Sequence, residues 1–445
     1  MEKSNSNSSF DCEEEKFDKN LKISDLNQNE TNKVFYSIYD SGSIEGEEKD
    51  NKNQNDINIK EDIFKKRSPT IIEKDLIESV QKMENVTKEN LELAEKIKFK
   101  NNTDRIIETD EFGFLKKDSN ISDNNDNITM KKDSNKLTKE QILTINARTE
   151  KWQDMLNNYQ KYQTTKRAKL KSRTRKGIPD SLRSIVWQLF AGTDKLKEKN
   201  LFENLNKQEL DKDIEGVIIK DLDRTFPSCQ LFKEKYGMGQ RKLYRVLSNY
   251  SKYNKVLGYV QGMGYLAAIF LLYMDEESAF YMLHSLVKNY GFEGLYKEGF
   301  PDLKKKFYVL LNLEKKYIPK IYDIFKRDGV FISIYASQWF LCLFAKDLKP
   351  NILVRIFDVF LFEGFKVIYR FALAFLKLKE KAFISNKKGI FYSMNTIKLL
   401  FDNVDIDELF KVAFSFSLSR SHIAKYESEY EENKGNPNNE FMKQL

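Results

Sequence analysis

Histidine is scarce in this chain of 445 residues, which contains only His284 and His422. Two histidines exclude a metal centre built from several imidazoles, and they leave a Ser-His-Asp triad with only two candidate bases. The three cysteines, Cys12, Cys229 and Cys342, are isolated and form no CxxC pair. The sequence therefore predicts no disulfide framework and favours a reducing compartment.

Phosphate-binding loops are also missing from the sequence. It has no Walker A stretch and no GxGxxG turn, and its nearest glycine-rich stretch, GMGYLA at 262–267, lies inside an apolar run. We therefore expect the chain to hold no nucleotide and no cofactor of its own. The polar and acidic beginning, MEKSNSNSSFDCEEE, predicts no secretory leader. Together these features predict a cytoplasmic protein.

One uncharged run of 19 residues, 256–274, has the length of a membrane span. However, the first half of the run contains Gln261 and three glycines, and only residues 266–274 are densely apolar. The flanking segments are equally aromatic. The sequence therefore predicts a buried core helix at this position rather than a membrane span.

Charge divides the chain into two parts. Residues 1–140 hold 24 basic, 32 acidic and 19 asparagine side chains, whereas residues 141–445 hold, by difference, 51 basic and 35 acidic ones. The first part cannot bury enough apolar surface to offset its chain entropy, so it is predicted to be a disordered, acidic, Asn-rich region. A segment that folds on binding a partner, with a short helix near 71–100, is the alternative for this part.

The remaining residues show helical periodicity. After Pro179, predicted to occupy the first position of a helix, an apolar stripe repeats at helical spacing and ends before Gly192. Three stripes of this kind are predicted to be buried: Leu182, Ile185, Val186, Leu189 and Phe190; Ile332, Tyr335, Trp339 and Leu343; and Leu353, Ile356, Phe357, Phe360 and Leu361. No stretch alternates with the two-residue period of a strand, so the predicted fold class is all-α with many helices.

These patterns predict two regions ahead of the main folded part: the low-complexity region, residues 1–140, and a basic helical lead-in, residues 141–174. The helical signals become strong after Arg175. Across the end of the lead-in, seven of the eleven residues from Lys166 to Lys176 are basic and none is acidic. Two interpretations remain open for this run: a solvated helix end with a linker, or peripheral contact with an anionic membrane or an acidic partner surface.

A first short motif, IIKDLDRTFP at 218–227, contains Asp221 and Arg224 three residues apart. This spacing puts both side chains on one helical face, so the carboxylate can hold the guanidinium. Pro227 is predicted to end the helix within one turn, so that Arg224 lies at the carboxyl end of the helix. The arginine then either satisfies the carboxyl end of the helix or is presented outward from a rigid element.

A second motif, YVQG, spans Tyr259 to Gly262 and includes Gln261. A buried amide without partners costs roughly 1–3 kcal/mol, so a glutamine between apolar residues needs an explanation. Either the backbone satisfies Gln261, or its amide stays exposed at the mouth of a helix. Gly262 has no side chain and would let a partner's backbone approach closely.

In this order and spacing, the motifs are similar to those of the TBC domain, the family of GTPase-activating proteins for Rab GTPases. The resemblance runs from about Arg175 to Phe383 and rests on RKGIPDSLRSIVWQLFAG, IIKDLDRTFP, YVQG, SIYASQWFLCLFAKDL and RIFDVFLFEG. It implies an all-helical domain at 175–383, which a C-terminal helical extension and tail at 384–445 would follow. Two positions depart from the usual family pattern: Phe357 stands where tryptophan is common, and Gly264 where asparagine is typical.

The resemblance also implies roles for individual residues. It assigns Arg224 as an arginine finger and Gln261 as a glutamine finger, both supplied in trans to a Rab GTPase in its GTP-bound form. Asp221 would orient the arginine, Tyr259 would contact the GTPase, and Gly262 would permit that approach. The partner would bring GTP and Mg²⁺. The implied function is stimulation of Rab GTP hydrolysis in vesicle traffic, with peripheral endomembrane contact.

Two other functions are weighed against this one. A catalytically silent Rab-binding scaffold or effector would keep the fold but would be free to lose Arg224 or Gln261, and the sequence contains both. Nucleic-acid binding would use the positive charge of the folded part, but no RNA-binding or DNA-binding motif accompanies that charge. We therefore expect no nucleic-acid partner.

Overall fold

The computed structural model describes Asp110, residues 112–114, residues 139–434, Asn436 and Phe441. All of these residues belong to one compact unit within residues 83–445. Apart from Asp110 and 112–114, the predicted low-complexity region before Lys139 lies outside the described residues, as does the short helix predicted near 71–100.

The described residues form 19 α-helices, one short 3₁₀ turn at Thr193–Lys195 and no β-strand, which confirms the predicted all-α class. In chain order the helices are α1 (Lys139–Asn157), α2 (Tyr159–Gln163), α3 (Arg167–Lys176), α4 (Asp180–Ala191), α5 (Leu201–Asn206), α6 (Lys212–Leu222), α7 (Met238–Tyr253), α8 (Met263–Leu271), α9 (Glu276–Asn289), α10 (Glu293–Tyr296), α11 (Pro301–Tyr317), α12 (Pro319–Asp328), α13 (Ile332–Leu341), α14 (Pro350–Glu363), α15 (Lys366–Leu378), α16 (Glu380–Ser385), α17 (Ile390–Lys398), α18 (Ile406–Ser415) and α19 (Arg420–Asn433).

Side chains that cap the backbone start several of these helices. The first-turn amides of α6, α9, α18 and α19 donate to the side chains of Asp211, Asp275, Asp405 and Ser419, respectively. Each cap satisfies amides that have no partner within the helix. Proline begins α11, α12 and α14, where its missing N–H costs nothing. Gly192 ends α4 in the left-handed conformation, as the sequence predicts.

The core is centred on helices that are buried around their whole circumference. Residues 278–287 of α9 and 367–376 of α15 are all buried, and so is every residue of α8 except Tyr265. Helix α8 packs against α6, α7 and α9. Its amino end therefore lies beside the carboxyl end of α6, which puts the YVQG and IIKDLDRTFP motifs next to each other.

The uncharged run 256–274 is only partly helical. Val256 is 86% exposed, and the helix begins after Gly262, so the predicted core helix is confined to α8. No helix among the described residues combines the length and apolar character that crossing a bilayer requires.

Helix α4 differs from the predicted stripe. It begins at Asp180, one position after Pro179, and Ile185 on the predicted apolar face is 53% exposed. The face that turns inward instead carries Arg183 and Trp187. The predicted burial of this stripe is therefore wrong except at Val186, since Leu182, Leu189 and Phe190 are only half-buried. A polar partner inside the domain attracts the face that carries Arg183. The other two predicted stripes are buried throughout.

That partner is Asp358 of α14, which is fully buried. Its Oδ1 atom accepts hydrogen bonds from Trp187 Nε1 at 2.8 Å and Arg183 Nε at 3.1 Å, and its Oδ2 atom accepts from the Ile178 amide at 3.0 Å. Burial raises the pKa of the Asp358 carboxyl, while the Arg183 charge and these hydrogen bonds oppose the rise. A buried charge needs such partners, so this network fixes α4 against α14.

The basic run 166–176 is a docked helix rather than a solvated linker. Leu170 and Thr174 of α3 are buried, and Arg175 donates to both carboxylate oxygens of Glu363, at 2.6 and 2.9 Å. The predicted lead-in therefore packs on α14. The C-terminal extension is anchored as well, because the Arg370 guanidinium of α15 donates to backbone carbonyls at the end of α18 and beyond it.

Candidate functional site

Arg224 follows directly on the end of α6. The Asp211 side chain caps the first turn of this helix, and the helix ends at Leu222. The Arg224 amide then donates to the Asp221 carbonyl at 3.2 Å, which continues the last turn. Arg224 is therefore attached to a rigid helix, at the carboxyl end, as the sequence predicts.

The Arg224 side chain is held in an ion pair. Its Nη2 atom pairs with Oδ1 of Asp221, three residues earlier. The Asp221 side chain is only 7% exposed, whereas that of Arg224 is 45% exposed. A buried carboxylate thus holds an arginine whose guanidinium reaches the surface, which is the arrangement that the spacing predicts.

Tyr259 completes this arrangement from the other motif. Its hydroxyl donates a 2.6 Å hydrogen bond to Oδ2 of Asp221. Burial, reinforced by the negative charge of Asp221, raises the pKa of Tyr259 well above its ordinary value, so the hydroxyl keeps its proton. The hydroxyl therefore acts inside the protein as a donor to Asp221. The expected contact of Tyr259 with a GTPase stays a prediction.

Gln261 lies in the turn just before α8. Its side chain is partly exposed, and its amide makes no hydrogen bond to any described residue. Of the two explanations left open by the sequence, this geometry favours an amide exposed at the mouth of a helix. The roles assigned to Arg224 and Gln261 stay predictions.

Gly262 caps α8 with a φ of +108°, a conformation that favours glycine. A Cβ atom at this position would lie 2.8 Å from Sγ of Cys342, which follows α13. The residue is buried. The missing side chain therefore makes room for Cys342 inside the domain. This contact explains the glycine without the expected approach of a partner's backbone, which stays a prediction.

The two motifs contact each other through the start of α8. Tyr265 donates from its hydroxyl to the Arg224 carbonyl at 3.0 Å, and a Cβ atom on Gly264 would lie 3.1 Å from Oγ1 of Thr225. Thr225 in turn donates to the Asp221 carbonyl at 2.8 Å. The loops that carry Arg224 and Gln261 are thus packed side by side, and the small Gly264 allows that packing.

Several contributors to this site have no signal in the sequence. Tyr265, Thr225 and Cys342 read as ordinary core residues, because the residues they meet at this site, Arg224, Gly264 and Gly262 respectively, are distant along the chain. Arg183 and Trp187 lie four positions apart and therefore share one helical face, which is a partial signal for the Asp358 network. Phe357, where tryptophan is common in the family, is fully buried with its ring centre 5.9 Å from that of Trp187.

The chemistry available to this surface follows from its side chains. A planar, permanently charged guanidinium suits phosphate oxygens, and an amide both donates to and accepts from water. Neither side chain is nucleophilic. The arrangement therefore fits stabilisation of charge on a phosphoryl group that another molecule brings to the surface.

Comparison with known proteins agrees with this geometry. The family model described as Rab-GTPase-TBC domain matches residues 180–384. Residues 180–384 form a TBC domain. Among solved structures, the Chlamydomonas flagellar RabGAP TBC domain is similar, with a TM-score of 0.52 and 26% identity over 62% of this chain and 95% of that one.

Curated relatives agree as well. The Rab GTPase-activating protein tbc-11 of Caenorhabditis elegans is 34% identical over 291 residues, which are 63% of this chain and 31% of that protein. TBC1 domain family member 10A of Mus musculus is 34% identical over 235 residues, which are 52% of this chain and 47% of that protein. This chain thus spans between about a third and a half of the relatives it matches.

Proposed function

We propose that this protein stimulates GTP hydrolysis by a Rab-family small GTPase in its GTP-bound form and thereby regulates vesicle traffic. Arg224, held at the surface by the buried Asp221, is the observation that carries the proposal. The names of the TBC relatives, which include a Rab GTPase-activating protein, support the same activity.

In the proposed mechanism, both groups act on the GTP of the partner. GTP hydrolysis requires stabilisation of charge on the β/γ phosphate oxygens and an oriented attacking water. Arg224 supplies the first through its guanidinium fork, and Gln261 supplies the second through its amide. The partner brings GTP and Mg²⁺, so the TBC domain needs no cofactor.

The Tyr259–Asp221 pair has a positioning role in this mechanism. Asp221 holds one side of the guanidinium, and the Tyr259 hydroxyl fixes the carboxylate from the other side. Holding Arg224 before the partner binds reduces the entropy that must be lost on reaching the transition state. Most of the resulting stabilisation is expected in the transition state rather than in the ground-state complex.

Single-turnover hydrolysis with a panel of GTP-loaded Rab proteins tests the proposal. With the responding Rab, Arg224→Lys keeps the charge but loses the fork, and the stimulated rate should fall by roughly 10²–10³. In Gln261→Ala, the stimulated rate should also fall steeply. The double variant should lose less than the two effects combined, because both groups act on one geometry.

Two substitutions elsewhere serve as matched controls. Arg327→Lys removes another partly exposed arginine paired with an aspartate, and Gln188→Ala another partly exposed glutamine. Both should leave the stimulated rate unchanged. Binding to the GTP-loaded Rab should change little in all four variants. Unchanged rates in Arg224→Lys and Gln261→Ala, with binding retained, would favour the silent scaffold over the activator.

Contact with an anionic endomembrane surface is proposed for α3. Its inner face packs on the domain. Three lysines are exposed to solvent: Lys166, which precedes the helix, and Lys169 and Lys176 within it. A docked helix with an exposed basic side has the geometry that peripheral attraction to acidic headgroups requires.

A further inference from the structure

A short segment ahead of the TBC domain folds into a tight turn. We call Asp110 and residues 112–114 the N-terminal turn. The Asp110 carboxylate accepts hydrogen bonds from the amides of Phe112 and Phe114, both at 2.9 Å, and the Asp110 amide donates to the Phe114 carbonyl at 2.8 Å. Gly113 has a φ of +77°, which a glycine adopts without strain.

The N-terminal turn docks on the loop that follows Arg224. Phe114 and Cys229 form an isolated antiparallel bridge, and the Gln230 amide donates to the Gly113 carbonyl at 2.6 Å. The Cys229 thiol lies 3.8 Å from the Phe112 carbonyl, and Cys229 is fully buried. The contact is made by backbone and side chains together, so it fixes the register of the two segments.

Phe114 connects this contact to the arginine. Its ring is 8% exposed and meets the Phe226 ring edge to face, with centroids 5.4 Å apart. Phe226 in turn meets the Tyr265 ring edge to face at 5.3 Å. The Tyr265 hydroxyl donates to the Arg224 carbonyl. The N-terminal turn therefore packs behind the loop whose outer side presents Arg224.

This loop needs such support because its backbone is strained. Phe226, two positions after Arg224, has a φ of +49°, which a residue with a bulky side chain rarely adopts. Such a conformation costs on the order of 1–3 kcal/mol and persists only where the surroundings hold it. The rings of Phe114 and Tyr265 meet the Phe226 ring edge to face, and the Phe232 ring lies further away, with its centroid at 6.5 Å.

We propose that the N-terminal turn is a positioning element for Arg224. Its docking keeps Phe226 in the strained conformation and thereby fixes the backbone from which the arginine extends. The positioning of Arg224 for catalysis rests on the proposed function, whereas the effect on the loop can be observed without a GTPase. Phe114 is the positioning residue, and it acts through Phe226 and Tyr265.

The position of the N-terminal turn changes what we expect of residues before 140. Their composition alone predicts that they are dispensable for stability and activity. The docked turn predicts instead that removing Asp110 and 112–114 loosens the loop after Arg224, because Phe226 and Cys229 lose the residues that cover them.

The test uses the full chain with Phe114→Ala, the conservative Phe114→Leu, and Phe410→Ala as a matched control. Phe410 is also 8% exposed and also makes an edge-to-face ring contact, but with Phe371 of α15. Site-resolved alkylation by iodoacetamide reports on the loop through Cys229. The buried Cys342, which lies against Gly262, reports in the same sample whether opening spreads beyond the loop after Arg224.

In Phe114→Ala, we expect alkylation of Cys229 to accelerate on the order of tenfold or more while Cys342 stays protected. The maximal stimulated rate should fall by roughly tenfold to a hundredfold, with little change in the activator concentration at half-saturation. Phe114→Leu should recover much of the Cys229 protection and of the maximal stimulated rate. Phe410→Ala should change neither quantity.

Three outcomes would overturn the inference. The first is protection of Cys229 equal to that in the wild type. The second is rapid alkylation of Cys229 with an unchanged maximal rate, which leaves the proposed function standing. The third is a faster stimulated rate in Phe114→Ala, which would make the turn inhibitory. A wild-type chain that stimulates no Rab would refute the proposed function instead, and Cys229 alkylation would still decide whether the turn holds the loop.

Discussion

The hydroxyl of Tyr259 donates a 2.6 Å hydrogen bond to the Asp221 carboxylate, across a separation of 38 positions in the chain. The other oxygen of that carboxylate pairs with Arg224. One buried aspartate thus joins the two motifs of the TBC domain and transmits the constraint of Tyr259 to the arginine.

The first prediction concerns this hydroxyl. Tyr259→Phe keeps the ring but leaves one oxygen of the buried Asp221 without its donor, which should lower the free energy of unfolding by about 1–3 kcal/mol. Because the carboxylate is then less constrained, the stimulated single-turnover rate should fall by roughly tenfold. Tyr290→Phe, which removes a 2.6 Å hydrogen bond to the Leu361 carbonyl, is the control and should keep the rate. A full rate in Tyr259→Phe would contradict the positioning role.

The second prediction concerns the junction of α4 and α14. Trp187 is fully buried, so Trp187→Ala should lower the free energy of unfolding by about 3–5 kcal/mol. Trp187→Phe keeps most of the volume but removes the donor to Asp358, and should cost about 1–3 kcal/mol. Denaturant unfolding measures both. Wild-type stability together with lost stimulation would instead place α4 at the partner surface.

The third prediction is a pH dependence from Glu314 of α11. Burial raises the pKa of Glu314 to about 8, and the Tyr335 hydroxyl lies 2.9 Å from both carboxylate oxygens. The pKa of this carboxyl is about 4.3 in the unfolded chain and about 8 in the folded protein. At any pH between these two values, the folded protein holds a proton that the unfolded chain has released. Stability from this group is therefore greatest below the unfolded pKa and is lost as the pH rises through the folded pKa.

Glu314→Gln removes this titration. We expect the difference in Tm, variant minus wild type, to increase by several degrees from pH 5 to pH 9. Thermal scans in matched buffers measure this difference. Glu209→Gln, at an exposed position, is the control and should leave the pH profile unchanged. A constant difference in Tm across this range would show that Glu314 has no raised pKa.

The fourth prediction tests membrane contact by α3. Replacing Lys166, Lys169 and Lys176 with serine should weaken binding to phosphatidylserine-containing vesicles on the order of a hundredfold at low salt, at about 1 kcal/mol per lysine. The difference should shrink as salt rises. Lys381, Lys387 and Lys388 are also exposed, and replacing them removes the same charge elsewhere. Equal binding of the two triple variants would exclude a specific role for α3.

The sequence predicts the helices well but not the direction in which each face turns. Periodicity marks which faces are apolar, and it correctly finds the buried stripes around Trp339 and Phe357. It fails for the stripe around Ile185, because a buried aspartate 175 positions away from Arg183 attracts the face that carries Arg183 and Trp187. Such a partner leaves no trace in local spacing.

The all-α class, the rigid attachment of Arg224 after a helix and the ion pair with Asp221 can be predicted from the sequence, because all three depend on residues within one or two helical turns. Three other contacts appear only in the folded chain: Tyr259 binds Asp221, Gly262 makes room for Cys342, and the N-terminal turn packs against the loop after Arg224. These contacts join residues far apart in the chain. They exist because packing the helices brings specific polar and aromatic groups together, which no local pattern encodes.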